Sequence, residues 1–186
     1  MVELFTSGDK INPTGILNYT YDPHNAFNKA VQHTTRLKDY FEAYCNTQWA
    51  PSLHADSNVF TKVKESLIAD SRQFIANSKQ LVAGVAQANG PTDAVLISKM
   101  AASIRTLAKI VQGAVEALKV TTNEENLLSL RECIATVGEA YSDFLVTSQR
   151  AAGKSMHDEN MTMIMQKGTH LASLLSLFLR TLRGLQ

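Results

Sequence analysis

The chain is short of the residues that covalent chemistry and cross-linking draw on. Of its 186 residues, two are cysteine, one is tryptophan and four are proline, and aromatics make up only 7%. Cys45 and Cys133 lie far apart on the inner faces of predicted helices, so they read as small buried hydrophobes rather than a disulfide framework. No charge sign dominates: 18 Lys and Arg oppose 17 Asp and Glu, a net charge of +1. That balance provides no electrostatic footprint for nucleic acid or for a strongly anionic membrane. No uncharged run, Gly168 to Leu179 among them, is long enough to span a bilayer. Met1-Val2-Glu3-Leu4 lacks the basic flank and apolar core of a signal peptide. A reducing, cytoplasmic location is therefore expected, with the sequons at Asn18-Tyr19-Thr20 and Asn160-Met161-Thr162 as chance matches.

Catalytic and cofactor signatures are missing too. The histidines His24, His33, His54, His157 and His170 are scattered, with no HExxH and no Glu-x-x-His pair of the di-iron type. His157-Asp158-Glu159 comes nearest to a ligand cluster, but adjacent residues on a helix point apart. Gly153-Lys154-Ser155 lacks the earlier glycine and preceding strand of a phosphate loop. Cys133 carries no cue for activation as a nucleophile. No catalytic residue, metal or cofactor is expected, and an enzyme ranks behind every binding reading.

What is present is helical periodicity. Hydrophobic residues form 45% of the chain, enough for one substantial core. Residues 1–21 contain Gly8, Pro13 and Gly15 and show no helical period, so they read as a tail. Its Ile11, Ile16, Leu17, Tyr19 and Tyr21 are available to dock in extended form. The domain proper then spans 22–186. Asp22-Pro23 signals the first helix, with a carboxylate cap before a first-turn proline, and its stripe runs from Phe27 to Tyr44.

A second helix from about Ser57 to Ala88 carries Phe60, Val63, Leu67, Phe74, Leu81 and Val85, and stops at Asn89-Gly90-Pro91. Thr92 is placed to cap a third, marked by Leu96, Met100, Ile104, Leu107, Ile110, Val111 and Ala114. Thr122 and Glu125 form a capping box for a fourth, which runs to Ala152-Gly153. Ser155 and Asp158 open a fifth, ending at Arg180 and Arg183. Short connections favour antiparallel neighbours. The expected class is all-α: an antiparallel up-and-down bundle of five long helices, four in the core plus one. Gly84 and Gly113, mid-helix, mark either tight crossings or exposed positions.

Two features bear on recognition. Leu171 to Leu179 is apolar on more than one side, which fits a helix buried at the bundle centre, or one where Leu177 or Leu179 adds to a dimer or partner patch. Lys62, Lys64, Arg72 and Lys79, with Lys99, Arg105 and Lys109, form either a solvated polar face or a basic face for an acidic partner.

The helices resemble those of the talin, vinculin, α-catenin and focal-adhesion-targeting group, above all the talin rod. The resemblance is one of texture, over about 57–186, and rests on Phe74-Ile75-Ala76-Asn77-Ser78-Lys79-Gln80-Leu81-Val82-Ala83-Gly84 and on Met100 to Val111. It implies a non-catalytic interaction module of an adhesion- or cytoskeleton-linked scaffold, located in the cytoplasm at adhesion sites or the cell cortex. The implied partner is an amphipathic helix or another helical domain, held in a groove between the second and third helices. A vinculin-like protein or actin is also implied, the former through the third-helix stripe from Leu96 to Ala114, from which Lys99 and Ser103 depart. Partner-contact candidates are Lys62, Arg72, Lys79, Lys99, Arg105, Lys109, Leu177 and Leu179. Alternatives are a homodimerising or F-actin-binding bundle, and a secreted four-helix cytokine-like ligand, which requires a Cys45–Cys133 disulfide.

Overall fold

A computed structural model describes residues 12–52 and 56–186. The chain is all-helical, with no strand among those residues. Its helices are α1 (Pro13–Leu17), α2 (Ala26–Thr47), α3 (Ser57–Gln87), α4 (Ala94–Lys119), α5 (Glu124–Ala151) and α6 (Glu159–Arg183). The last five are the long helices that periodicity predicts. The short α1 is an addition to them.

Carboxylate and amide side chains fix the long helices' starts. Asp56 Oδ1 accepts the amides of Asn58 and Val59, and Asp93 Oδ1 those of Val95 and Leu96. Asn123 accepts from Glu125 and Asp158 from Asn160. These are amides that a helix start leaves without partners. The expected caps Thr92 and Thr122 each give way to the next residue. Asp93 prevails because its second oxygen also takes the Asn89 amide at 3.2 Å, and a carboxylate suits the helix dipole. α2 begins at Ala26, not directly after Asp22-Pro23. Asp22 spends its carboxylate on the His24 amide and its carbonyl on that of Asn25, closing a turn first.

Helix α3 packs on α4 and α6, α5 on α6 and α2, and α2 also on α4. The most enclosed helix is α4, with fifteen buried residues against seven for α6. α6 therefore does not occupy the centre; it leaves Met163, Met165 and Leu177 exposed. Phe74, Tyr141 and Phe144 are fully buried together, with the Phe74 and Tyr141 rings 5.0 Å apart and edge to face.

Residues 12–21 dock as a helical turn rather than an extended strand. Asn12 Oδ1 accepts the Gly15 amide and Pro13 sits at the first helical position, a start signal in miniature. Ile16 is fully buried, and α1 lies on α4. Gln112 donates to Thr14 Oγ1, and the Arg105 guanidinium donates to the Tyr19 carbonyl. Tyr21 Oη meets His33 Nδ1 at 2.6 Å. The expectation for residues 1–11, Ile11 included, lies outside the described residues.

Gly84 and Gly113 both sit at the α3–α4 crossing, with opposite consequences. A Cβ at Gly113 would lie 3.0 Å from Leu67 Cγ and Cδ2, and Leu67 is fully buried. A Cβ at Gly84 would meet Lys99 Cδ at 2.9 Å, on a flexible, half-buried side chain. Alanine in place of glycine adds about 1 kcal/mol of helix propensity. Gly84→Ala is expected to keep most of that gain, since Lys99 swings aside. Gly113→Ala is expected to be destabilising, since Leu67 has nowhere to go. Thermal unfolding of the two variants checks the contrast.

Candidate recognition groove

The crossing of α3 and α4, where a groove was expected, is closed. Gly84 and Gly113 let the helices approach, and Asn77 Nδ2 bridges them to the Ala102 carbonyl. A hollow of about 150 Å³ lies at the turn end by Gln87 and Asp93. The open apolar groove lies on the other side of α3, against α6, and has a volume of about 320 Å³. α3 contributes Ile75, Ser78, Lys79 and Val82; α6 contributes Met165, Gly168, Ala172 and Leu175.

Small residues create this groove. Gly168 has no side chain where a Cβ would stand 3.0 Å from Val82 Cγ2, so the helices touch there. One turn on, Ala172 leaves the space beside Leu175 unfilled. The lining is mainly apolar, with three polar exceptions, Ser78, Lys79 and Thr169, the last bonding back to the Met165 carbonyl. Ser71 Oγ and Ser148 Oγ bond back to the Leu67 and Phe144 carbonyls, each at 2.8 Å, a normal use of helical serine. Ser78 Oγ, in a residue only 7% exposed, has no partner. Lys79 is the one charged residue of the lining and is exposed.

The other expected contact residues disperse. Lys62 and Arg72 are exposed on α3. Lys99 covers Gly84, and Arg105 holds the Tyr19 carbonyl. Lys109 stands near Asp70, whose carboxyl is pushed up by burial and eased back by that ammonium. These cations form no single face. Leu179 is buried in the core. Leu177 is half exposed and lines a separate hollow between α5 and α6, with Cys133 and Phe178.

A third hollow, near Phe60 and Leu185, is more polar and is spanned by Lys64 Nζ, which donates to the Arg183 and Leu185 carbonyls. Cys133 is only half-buried, and both cysteines are free thiols, so the disulfide of a cytokine-like ligand is not formed. Burial pushes the Cys45 thiol up to about 11. Among the described residues, no three His, Cys, Asp or Glu side chains converge as a metal site would require. No described helix is long and apolar enough to cross a membrane.

The arrangement suits binding of an apolar body with a polar margin at one edge. A sequence signal for it existed, in Gly168 and Ala172 spaced one turn apart inside the uncharged run. Its meaning depended on knowing that α6 pairs with α3. No protein-family model matches the chain, and no curated protein shows significant similarity to it.

Proposed function

We propose that this chain is a non-catalytic protein–protein interaction module that binds an amphipathic partner helix in the α3–α6 groove. The groove itself carries the reading: it is apolar, open to solvent, and walled by two long helices over about two turns. Burying one leucine-sized side chain there contributes about 1.5–3 kcal/mol, so a helix with two such side chains one turn apart has the means to dock. Met165, half exposed at the rim, provides an adaptable surface.

The finer architecture belongs to the same proposal: five long helices as an antiparallel up-and-down bundle, with α1 laid across α4. Supporting it are contacts that join opposite helix ends, Lys64 to Arg183 and Gly84 to Leu96, with Gly113 against Leu67 and Arg131 against Glu42. The texture shared with the talin and vinculin group supports a scaffold role in adhesion or the cytoskeleton. In such a module the α4 stripe from Leu96 to Ala114, fully enclosed in this fold, would meet a vinculin-like partner only after the bundle opened.

The test is a double substitution in the groove. Peptides of 18 residues, selected from a displayed library by the wild-type chain, are expected to lose binding at least tenfold to Met165→Glu/Ala172→Arg, while the melting temperature stays within a few degrees. Loss of binding only alongside loss of fold would remove the groove from the account. A second reading, self-association through α6, draws on the exposed Met163 and Leu177. Sedimentation showing a monomer at high concentration would dispose of it.

A further inference from the structure

We infer that residues 12–21 form a releasable strap, which swings out on residues 22–25 while the five long helices stay folded, and uncovers a peptide seat on α2 and α4. The strap lies apart from the α3–α6 groove, so either can fail without the other. Among the described residues, no backbone-to-backbone hydrogen bond joins residues 12–21 to a long helix. Those they make are internal, Ile16 to Asn12 and Tyr19 to Ile16. The segment is held chiefly by the buried Ile16 and Tyr21 and by three side-chain bonds. Gln112 donates to Thr14 Oγ1, Arg105 donates to the Tyr19 carbonyl, and Tyr21 Oη meets His33 Nδ1. So few ties to the rest of the molecule mark a segment of low local stability.

The joint to α2 is loosely made. Residues 22–25 are all exposed. Asn25, at the start of α2, makes no side-chain cap bond, whereas Asp56, Asp93, Asn123 and Asp158 each cap their helices. The face beneath the strap is also cheap to uncover. Arg105 and Gln112 stand seven residues apart on α4, and Val115 lines a hollow with Asn12, Pro13 and Thr14. Helical spacing puts Ala101 and Ala108 on that same face, and Met100, Leu107 and Leu118 on others. Lifting the strap therefore bares mostly alanine on α4, at little hydrophobic cost. Water then reaches His33, so the ring is hydrated rather than orphaned. Three polar partners await a returning segment: a guanidinium for a carbonyl, an amide for a hydroxyl and an imidazole for a phenol.

Native-state hydrogen exchange on the full chain tests the strap. After correction for intrinsic rates, the Ile16 and Tyr19 amides are expected to exchange about a hundredfold faster than the Ile110 amide of α4, with little dependence on low urea. Phe74→Leu, in the α3–α5 contact, should speed exchange at Ile110 and leave Ile16 and Tyr19 unchanged, because the strap opens without breaking that contact. Equal exchange at all three, shifting together with urea and with Phe74→Leu, would overturn the strap. A fluorescein-labelled peptide of residues 12–24 tests the seat. Ile16→Asp in the full chain unseats the strap, and this variant should bind the peptide about tenfold more tightly than wild type, where the chain's own segment competes. A peptide carrying the same substitution should bind neither. Equal affinity of the two chains, or no binding by a folded Ile16→Asp chain, would overturn the seat. An Ile16→Asp chain that fails to fold would overturn the strap itself.

Discussion

Phe74→Ala is expected to lower the unfolding free energy by about 3–5 kcal/mol, the range for deleting a buried aromatic ring. Phe74 is fully buried on α3 and meets the Tyr141 ring of α5 edge to face, with Phe144 beyond it. Few sites in the chain bring α3 and α5 into contact, so the cavity would open where these helices meet and little can collapse into it. A chain of this size unfolds with an overall stability of about 5–15 kcal/mol, so the loss is a large share of the total. Denaturant unfolding followed by circular dichroism measures it. Val59→Ala, at an exposed α3 position, serves as the control and should change stability by less than about 0.5 kcal/mol. A loss below about 1 kcal/mol at Phe74 would mean that the aromatic centre is not packed as described.

The second large effect is on pH dependence. His33 is 1% exposed, and burial, together with Arg36 and Lys29 on the same helix, lowers its pKa to about 4. From the N-terminal segment, the Tyr21 phenol meets Nδ1 and the Tyr19 ring stands edge-on with centroids 4.5 Å apart. From α4, Arg105 holds the Tyr19 carbonyl. Burial also raises the Tyr21 phenol, which stays protonated and donates to Nδ1 when the ring proton is on Nε2. In the unfolded chain a histidine titrates near 6.5.

Between those two values the unfolded chain holds a proton that the folded chain does not. Stability contributed at this site is therefore constant above pH 6.5, falls as the pH drops toward 4, and levels below it. The full loss amounts to at most about 3 kcal/mol. Melting temperatures from pH 8 to 4 should fall more steeply for wild type than for His33→Gln, whose side chain does not titrate. Hydrogen exchange in residues 12–21 should rise first, because that segment closes over the ring. Parallel pH profiles for the two proteins would contradict the assignment.

The legible and illegible parts of this fold divide along physical lines. Periods of 3.6 marked all five long helices, and α3 ends within a residue of its expected stop because Asn89-Gly90-Pro91 excludes continuation. Caps slipped by one residue where a threonine and an acidic or amide residue stood side by side, since either can reach the free amides. α1 escaped notice because five residues cannot display a period; the cue was Asn12-Pro13 ahead of Gly15.

The centre of the bundle was harder still. α6 owes its apolar reading to leucines on several sides, yet Leu177 faces out while Leu179 faces in. α4 hides its enclosure behind small residues, Ala101, Ser103, Ala108, Ala114 and Ala117, which are buried but weakly hydrophobic. The groove followed from pairing order, which one-dimensional patterning does not contain. Of the basic residues grouped on sequence spacing, only Lys79 reaches it. The others cover a glycine, hold a carbonyl or face water.

Hydrogen exchange on the peptide-bound chain shows whether the α3–α6 groove is the binding surface. With a library-selected peptide at saturation, protection is expected in residues 75–82 and 165–175, with α2 and α4 unchanged. Protection concentrated on the α5–α6 hollow around Cys133 and Leu177, or on α4, would contradict it.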